Sequence, residues 1–304
     1  MALIDTHVHF EIGDYPIIPS YEEQYGTEKA RVVREKNAEM KRRWQQAWHF
    51  PIPLPPEADY RVTAQKWLEQ MDLHHLERLV FTTCGTNELA EDILAIAPDK
   101  FVCYAHHDIC LPDAAERLER AYREQGLRGY KQFAPLISRP LNDPGFEPVW
   151  EVAERYEYPV LIHFGILGGA GGIASHININ PMALHDVAKA HPRIPFIVPH
   201  FGCGFPKDTL FLAWACPNIY VDTSGSNQWT RFMPYPLTVR DLFLKFQQTI
   251  GAARILFGTD SEWFPRGFVH QYLDMQMRDC VELGFSGADI DLIFGGNART
   301  LLRL

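Results

Sequence analysis

No stretch of this 304-residue chain comes near the roughly 18 consecutive apolar residues that a membrane-spanning helix needs. A basic excess is missing too: Lys and Arg number 29 against 38 Asp and Glu, a formal net charge of −9. Nothing is therefore left over to neutralise phosphates, which argues against nucleic acid as the main partner. The six cysteines, Cys84, Cys103, Cys110, Cys203, Cys216 and Cys280, show no C-x-x-C spacing. They suit neither a thiolate zinc cluster nor a disulfide scaffold, and reduced thiols in a chain of this length point to the cytoplasm. The N-terminus has no uninterrupted apolar core of the signal-peptide kind, because Asp5, His7 and His9 break it. No G-x-G-x-x-G follows the first strand candidate, which speaks against an open doubly wound dinucleotide-binding sheet. Internal repeats and low-complexity tracts are lacking as well.

What is present has the balance of a globular protein, 46% hydrophobic and 22% charged residues. Short runs rich in β-branched and aromatic residues alternate with segments of helical periodicity. Strand candidates are ALIDTHVH at the N-terminus, then 78–84, 100–107, 127–133, 159–164, 195–200, 218–224 and 254–260. Helix candidates between them include Thr86–Ala97, Asp113–Gln125, Phe146–Tyr156, Pro181–Ala190, Lys207–Ala215 and Thr238–Ile250. Asp113, Asp143 and Asn180 stand where helix starts are expected. Eight successive βα units predict a parallel sheet closed into a (β/α)8 TIM barrel, one domain over 1–304.

Such a barrel needs about 250 residues. The surplus falls at about 11–60, after strand 1 and before a helix near Val62–Leu73. EIGDYPIIPSYEEQYG and AWHFPIPLPPEADY read as loops, and TEKARVVREKNAEMKRRWQQAW as a helix with Trp44 and Trp48 one turn apart. Its Lys41-Arg42-Arg43 cluster fits a solvated helix face better than an anionic partner. Following strand 1, this insertion can fold over the barrel mouth as a lid, or form a subunit contact in a homodimer.

The opening MALIDTHVHF places Asp5, His7 and His9 on one face of a strand, opposite Ile4, Thr6 and Val8, if strict alternation holds. A lone His-x-His is weak evidence for a metal. In barrels of this kind, however, polar residues at the C-terminal strand ends carry the chemistry. Strand 5 ends in His163, strand 6 in His200 and strand 8 in Asp260. Each alone could be a helix cap or a hydrogen-bonded histidine; together at one rim they point to a metal site.

This constellation resembles the amidohydrolase superfamily, and closely its amidohydrolase-2 branch of metal-dependent TIM-barrel hydrolases. That branch also holds aminocarboxymuconate-semialdehyde and resorcylate decarboxylases. The resemblance covers nearly the whole chain, through LNDPGFEPVWEVAERYEYPVLIHFG, HPRIPFIVPHFG, NIYVDTSG, ILFGTD and IFGGNARTLL. It implies that His7, His9, His163 and Asp260 hold one divalent ion, with His200 in a second layer facing substrate or metal-bound water. Zinc is the default for three imidazoles and a carboxylate, with manganese or iron as the other options. The expected reaction is hydrolysis of an ester, lactone or amide carbonyl by metal-activated water, with Asp260 moving the proton and His200 polarising the carbonyl. Non-oxidative decarboxylation is the alternative within the same family, and a non-catalytic binding barrel is the third reading.

Binuclear branches carry a carboxylated lysine at the end of strand 4. Here Lys131 stands in GYKQF, either reaching the mouth as a substrate anchor or pointing into the barrel layers. Candidate contacts to a small, acidic or aromatic substrate are Lys131, His106, His176, Trp229, Arg231 and Arg266. His106 and His107 end strand 3, so one faces the mouth and the other the helix layer. Asp222 ends strand 7, either bonding a ligand histidine or starting the next turn. The glycine-bearing loop GILGGAGGIASHININ after strand 5 reads as a flap over the site.

Overall fold

The computed structural model describes residues 2–12, 26–47, 49–165 and 176–304. All eight expected strands form: β1 (Ile4–His9), β2 (Arg78–Thr83), β3 (Phe101–Cys103), β4 (Tyr130–Phe133), β5 (Val160–His163), β6 (Phe196–Val198), β7 (Ile219–Asp222) and β8 (Ile255–Leu256). Every ladder is parallel, in the orders β1-β2-β3 and β4-β5-β6-β7-β8. Two single bridges join these arcs, Ala105 with Tyr130 and Val8 with Ser261. Hydrogen bonds from Ala105 N–H to Gly129 O (2.8 Å), Thr6 N–H to Phe257 O (3.0 Å) and Asp260 N–H to His7 O (2.8 Å) complete the closure. The result is a TIM barrel that, among the described residues, leaves no sheet edge to template association.

The strands are shorter than the apolar runs that announce them. β6 stops at Val198 because Pro199 has no N–H to continue the ladder, and β8 stops at Leu256 where the chain turns toward β1. His200 and Asp260 thus lie just past the regular ladders, where the backbone is free to turn, whereas His7, His9 and His163 lie within β1 and β5.

Strand β1 departs from strict alternation. Its register against β2 shifts between Asp5 and Val8, and again before His9. Ile4 therefore points into the barrel with Val80, Val102, Leu161, Ile197 and Leu256, whereas Leu3, Val8 and Phe10 pack outward against the helices. The expected grouping of Ile4 with Val8 is corrected by this bulge, which lets one strand supply both a floor residue and two inward histidines. Ala298 and Leu302 close the floor from below.

Eleven α-helices are assigned among the described residues: α1 (Thr27–Ala47), α2 (Tyr60–His74), α3 (Asn87–Ile96), α4 (Ala114–Arg123), α5 (Glu147–Tyr156), α6 (His185–Ala190), α7 (Pro206–Ala215), α8 (Val239–Ile250), α9 (His270–Glu282), α10 (Gly287–Asp291) and α11 (Asn297–Leu302). Asp143 and Asn180 cap short 3₁₀ turns through their side chains, and Thr238 with Asp241 forms a capping box at α8. Asp113 precedes α4 without a side-chain cap bond. The C-terminal trio α9 to α11 lies beyond the helices expected from periodicity.

Two helices lie between β1 and β2. Helix α1 is largely exposed, with Ala30 buried and Arg43 paired to Glu39 on its surface, as a solvated face requires. The side chains of Lys41, Trp44 and Trp48 lie outside the described residues, as do 13–25 of the first loop. Among the described residues, no helix is long and apolar enough to cross a membrane.

Candidate metal centre

Three histidines reach the barrel mouth with one ring nitrogen already engaged. His7, fully buried, holds Asp222 Oδ2 at 2.8 Å through Nδ1. His200 donates from Nδ1 to the Ser224 carbonyl at 3.0 Å, and His9 Nδ1 lies 2.6 Å from Thr83 Oγ1. In each ring Nε2 is left to face the centre, the arrangement by which outer partners fix a metal-binding tautomer. Asp260 completes the group. Its Oδ1 lies 3.1 Å from His9 Nε2 and 3.7 Å from His7 Nε2, and its side chain is 36% exposed, so it is reachable from the mouth.

Among the described residues, donor atoms of His7, His200 and Asp260 all lie within 4.8 Å of one another. His200, expected one layer out, thus sits inside the tightest donor group, its ring 5.1 Å from that of His7. His9 joins through Asp260, with its ring 5.1 Å from His7. The His163 ring lies against that of His200, centroids 5.0 Å apart, outside the tightest donor group. Imidazole nitrogens with a carboxylate oxygen are a donor set that fits a divalent ion.

The electrostatics agree with that chemistry. Burial, reinforced by the nearby Lys131 ammonium, lowers the His7 pKa to about 3, so its imidazole is neutral and able to donate a lone pair. Burial alone would neutralise Asp222, yet His7, the His200 N–H (3.1 Å) and the Ser224 N–H (3.0 Å) hold it ionised. Asp260 behaves alike: burial opposes its charge, but the His9 hydrogen bond and the surrounding histidines keep it well below the usual carboxylate range. Ser224 Oγ adds contacts to His7 Nδ1 (3.0 Å), His200 Nδ1 (2.9 Å) and Asp222. Asp5, below the site, accepts from the N–H groups of His7 and Thr259 and ties β1 to the turn after β8.

Backbone geometry serves the same end. His200 and Asp260 both have φ of 56°, in the left-handed region that residues other than glycine rarely adopt. Gly225 faces them with φ of 80°, which favours glycine, and a β-carbon there would press on His200 Nδ1 at 3.2 Å and touch Asp260 Oδ2 at 3.4 Å.

Lys131 points into the barrel, and its ammonium reaches up to the donor group. It is fully buried, its Nζ 3.5 Å from His7 Nε2 and 4.7 Å from the Phe133 ring centre, and burial lowers its pKa to about 8. His106 is also buried beside Phe133, with Nδ1 3.1 Å from Lys131 O, while His107 turns outward to Ala114 O at the start of α4. Trp229 is buried in its own loop and donates to Asn227 Oδ1; Arg231 is exposed and bonds Gln228. His176 is exposed, and residues 166–175 of the glycine-bearing loop lie outside the described residues. Arg266 Nη1 donates to the Asp260 carbonyl at 3.2 Å.

Sequence reasoning set Asp5 on the strand face of His7 and His9 without giving it a role, and it missed Thr83, Ser224 and Gly225. The cue for these three was present, in TTC at the end of β2 and in DTSG at the end of β7, where polar or glycine residues follow an apolar run. Replacing the carboxylate that orients His7, as in Asp222→Asn, is expected to weaken metal affinity about 10–100-fold. Mn²⁺ titration followed by electron paramagnetic resonance reads this directly, and an unchanged affinity would show that the His7 tautomer is set elsewhere.

By sequence the chain is similar to gamma-resorcylate decarboxylase of Rhizobium radiobacter, 24% identical over 231 residues, covering 59% of this chain and 67% of that one. A solved 5-carboxyvanillate decarboxylase from Novosphingobium aromaticivorans, complexed with manganese, aligns with a TM-score of 0.63 at 16% identity, over 100% of this chain and 96% of that one. A probable 2-pyrone-4,6-dicarboxylic acid hydrolase from Acinetobacter baumannii aligns over 100% of both chains, with a TM-score of 0.60 and 16% identity. The amidohydrolase family model matches residues 4–304, from β1 to the last residue. The chain belongs to the amidohydrolase family, in its amidohydrolase-2 branch.

Proposed function

We propose that this protein is a metal-dependent, non-oxidative decarboxylase of a small, planar aromatic carboxylic acid. The observation that carries the reading is the cluster of oriented imidazoles and one reachable carboxylate at the barrel mouth. The choice of decarboxylation over hydrolysis is supported by the activities named for the gamma-resorcylate and 5-carboxyvanillate relatives.

In this reading His7, His9, His163 and Asp260 would hold one divalent ion. When bound, the ion supplies Lewis-acid charge that holds the anionic oxygens of the substrate. Zinc suits the donors, and manganese is the metal of the carboxyvanillate relative. Asp260 takes a proton from solvent and places it on the carbon that bears the carboxylate. Giving up that proton leaves Asp260 ionised again; the C–C bond then breaks, its electron pair restores the aromatic ring, and CO₂ leaves. His200 Nε2 faces the same space and positions a substrate oxygen. Phe133, half-buried between Lys131 and His163, offers a ring edge or face to a planar substrate.

Hydrolysis is the second reading, favoured by the similarity to the Acinetobacter hydrolase. There the same carboxylate would take a proton from water and pass it to the leaving group. The two chemistries mark their products differently. Turnover of a panel of hydroxybenzoic and related acids in D₂O is expected to release one CO₂ per substrate and leave deuterium on the carbon that lost its carboxylate. Turnover of lactones or amides in ¹⁸O-water, with label in a new carboxylate and no CO₂, would overturn the decarboxylase proposal in favour of hydrolysis.

A further inference from the structure

The backbone of Asp260 is held in an uncommon state, and the residue that holds it is itself seated on the segment that follows β1. Asp260 has φ of 56°, a conformation that residues other than glycine keep only where their surroundings impose it. Two hydrogen bonds clamp its peptide groups. Its N–H donates to His7 O at 2.8 Å, and its carbonyl accepts from Arg266 Nη1 at 3.2 Å. The first clamp belongs to the barrel closure; the second does not.

Arg266 lies in the loop after β8, where its guanidinium carbon stands 4.4 Å from the centre of the Phe50 ring and 4.6 Å from that of Trp263. Phe50 and Trp263 meet edge to face with centroids 6.3 Å apart. Four residues on from Phe50, Leu54 N–H donates to Phe264 O at 3.0 Å and straps the segment to the same loop. Contact of a guanidinium with aromatic faces restricts its orientation as well as stabilising it. A chain of contacts thus runs from the stretch between α1 and α2, through Phe50 and Arg266, to the carbonyl of Asp260.

We propose that Arg266 is a positioning residue which, seated on Phe50, holds the backbone of Asp260 so that its carboxylate meets the metal, and that the segment after β1 thereby tunes metal affinity. This rests on the reading of Asp260 as a metal ligand. It assigns the stretch around Phe50 a role that touches neither metal nor substrate.

The test is Mn²⁺ titration of the full chain after chelator treatment, with free Mn²⁺ read by electron paramagnetic resonance. Phe50→Leu keeps apolar packing but removes the ring, and is expected to weaken Mn²⁺ binding about three- to tenfold, the range of a lost cation–π contact. Phe50→Tyr keeps the ring and is expected to bind as the parent does. Arg266→Lys keeps the charge without the planar fork and should fall with Phe50→Leu, while the double variant should be little worse than either, since both act through one link. Thermal midpoints of the metal-free proteins show that each variant is folded. Parent-like affinity in both Phe50→Leu and Arg266→Lys would overturn the proposal, as would equal loss in Phe50→Leu and Phe50→Tyr. Asp260→Ala separates this from the underlying reading: parent-like affinity there removes Asp260 as a ligand, whereas its loss beside unaffected Phe50 and Arg266 variants removes only the linkage.

Discussion

The double substitution His7→Ala with His9→Ala is expected to yield a protein without bound metal, where the parent holds about one divalent ion per chain. Elemental analysis of the purified proteins measures this. The two imidazoles come from one strand and bring their Nε2 atoms to 3.7 and 3.1 Å from the same Asp260 oxygen. Removing both leaves too few donors for the tetrahedral or larger sets that divalent ions take. The two sites differ in what else they support. His7 is buried against Asp222, so its loss takes a hydrogen bond from a buried carboxylate, which typically costs about 1–3 kcal/mol. His9 is half-buried and bonds Thr83 and Asp260, so His9→Ala alone leaves the Asp222 network intact. A folded His9→Ala protein with sharply reduced metal therefore separates ligand loss from unfolding. Full metal content in the double variant would sink the site.

The barrel and its rim were legible in the sequence for different reasons. Strands announce themselves by apolar β-branched runs, because both faces of a parallel barrel strand are buried. Leu161 faces inward while Val160 and Ile162 face outward, all fully buried, which is why VLIH reads so plainly. His163, His200 and Asp260 could be picked out because each interrupts such a run with a ligand type. The face assignment within β1 could not, since the register shift between Asp5 and Val8 is a property of pairing with β2 and leaves no mark in composition. Lys131 was left open for the same kind of reason: mouth and layers share the inner face and differ only in height, which needs the register Lys131 to Leu161 that the ladder supplies. Ser224 and Thr83 escaped because hydroxyls at strand ends are common. Only their distances to His7, His200 and His9 give them a role.

His200 is where sequence and geometry pull in different directions, and its substitution decides between them. The family pattern sets it one layer out, facing the substrate; the structure sets it among the donor atoms beside His7 and Asp260. The proposed ligand set of His7, His9, His163 and Asp260 is complete without it. On that reading a His200 variant keeps its metal and loses about 10²–10³ in turnover, the usual effect of removing one fixed electrostatic contact from a reacting oxygen. The backbone needs care, because His200 sits at φ 56° with its N–H bonded to Asp222. His200→Asn is the better variant beside His200→Ala, since asparagine tolerates the left-handed region and leaves that N–H in place. Both are expected to purify with about one metal per chain and to fall mainly in kcat on whichever acid the CO₂ assay identifies. If either folds yet purifies metal-free, His200 is itself a ligand, and the donor count rises by one. If both keep metal and near-parental turnover, the space that His200 Nε2 faces is not where the substrate oxygen lies, and the reacting group must approach from the side of His163 and Phe133.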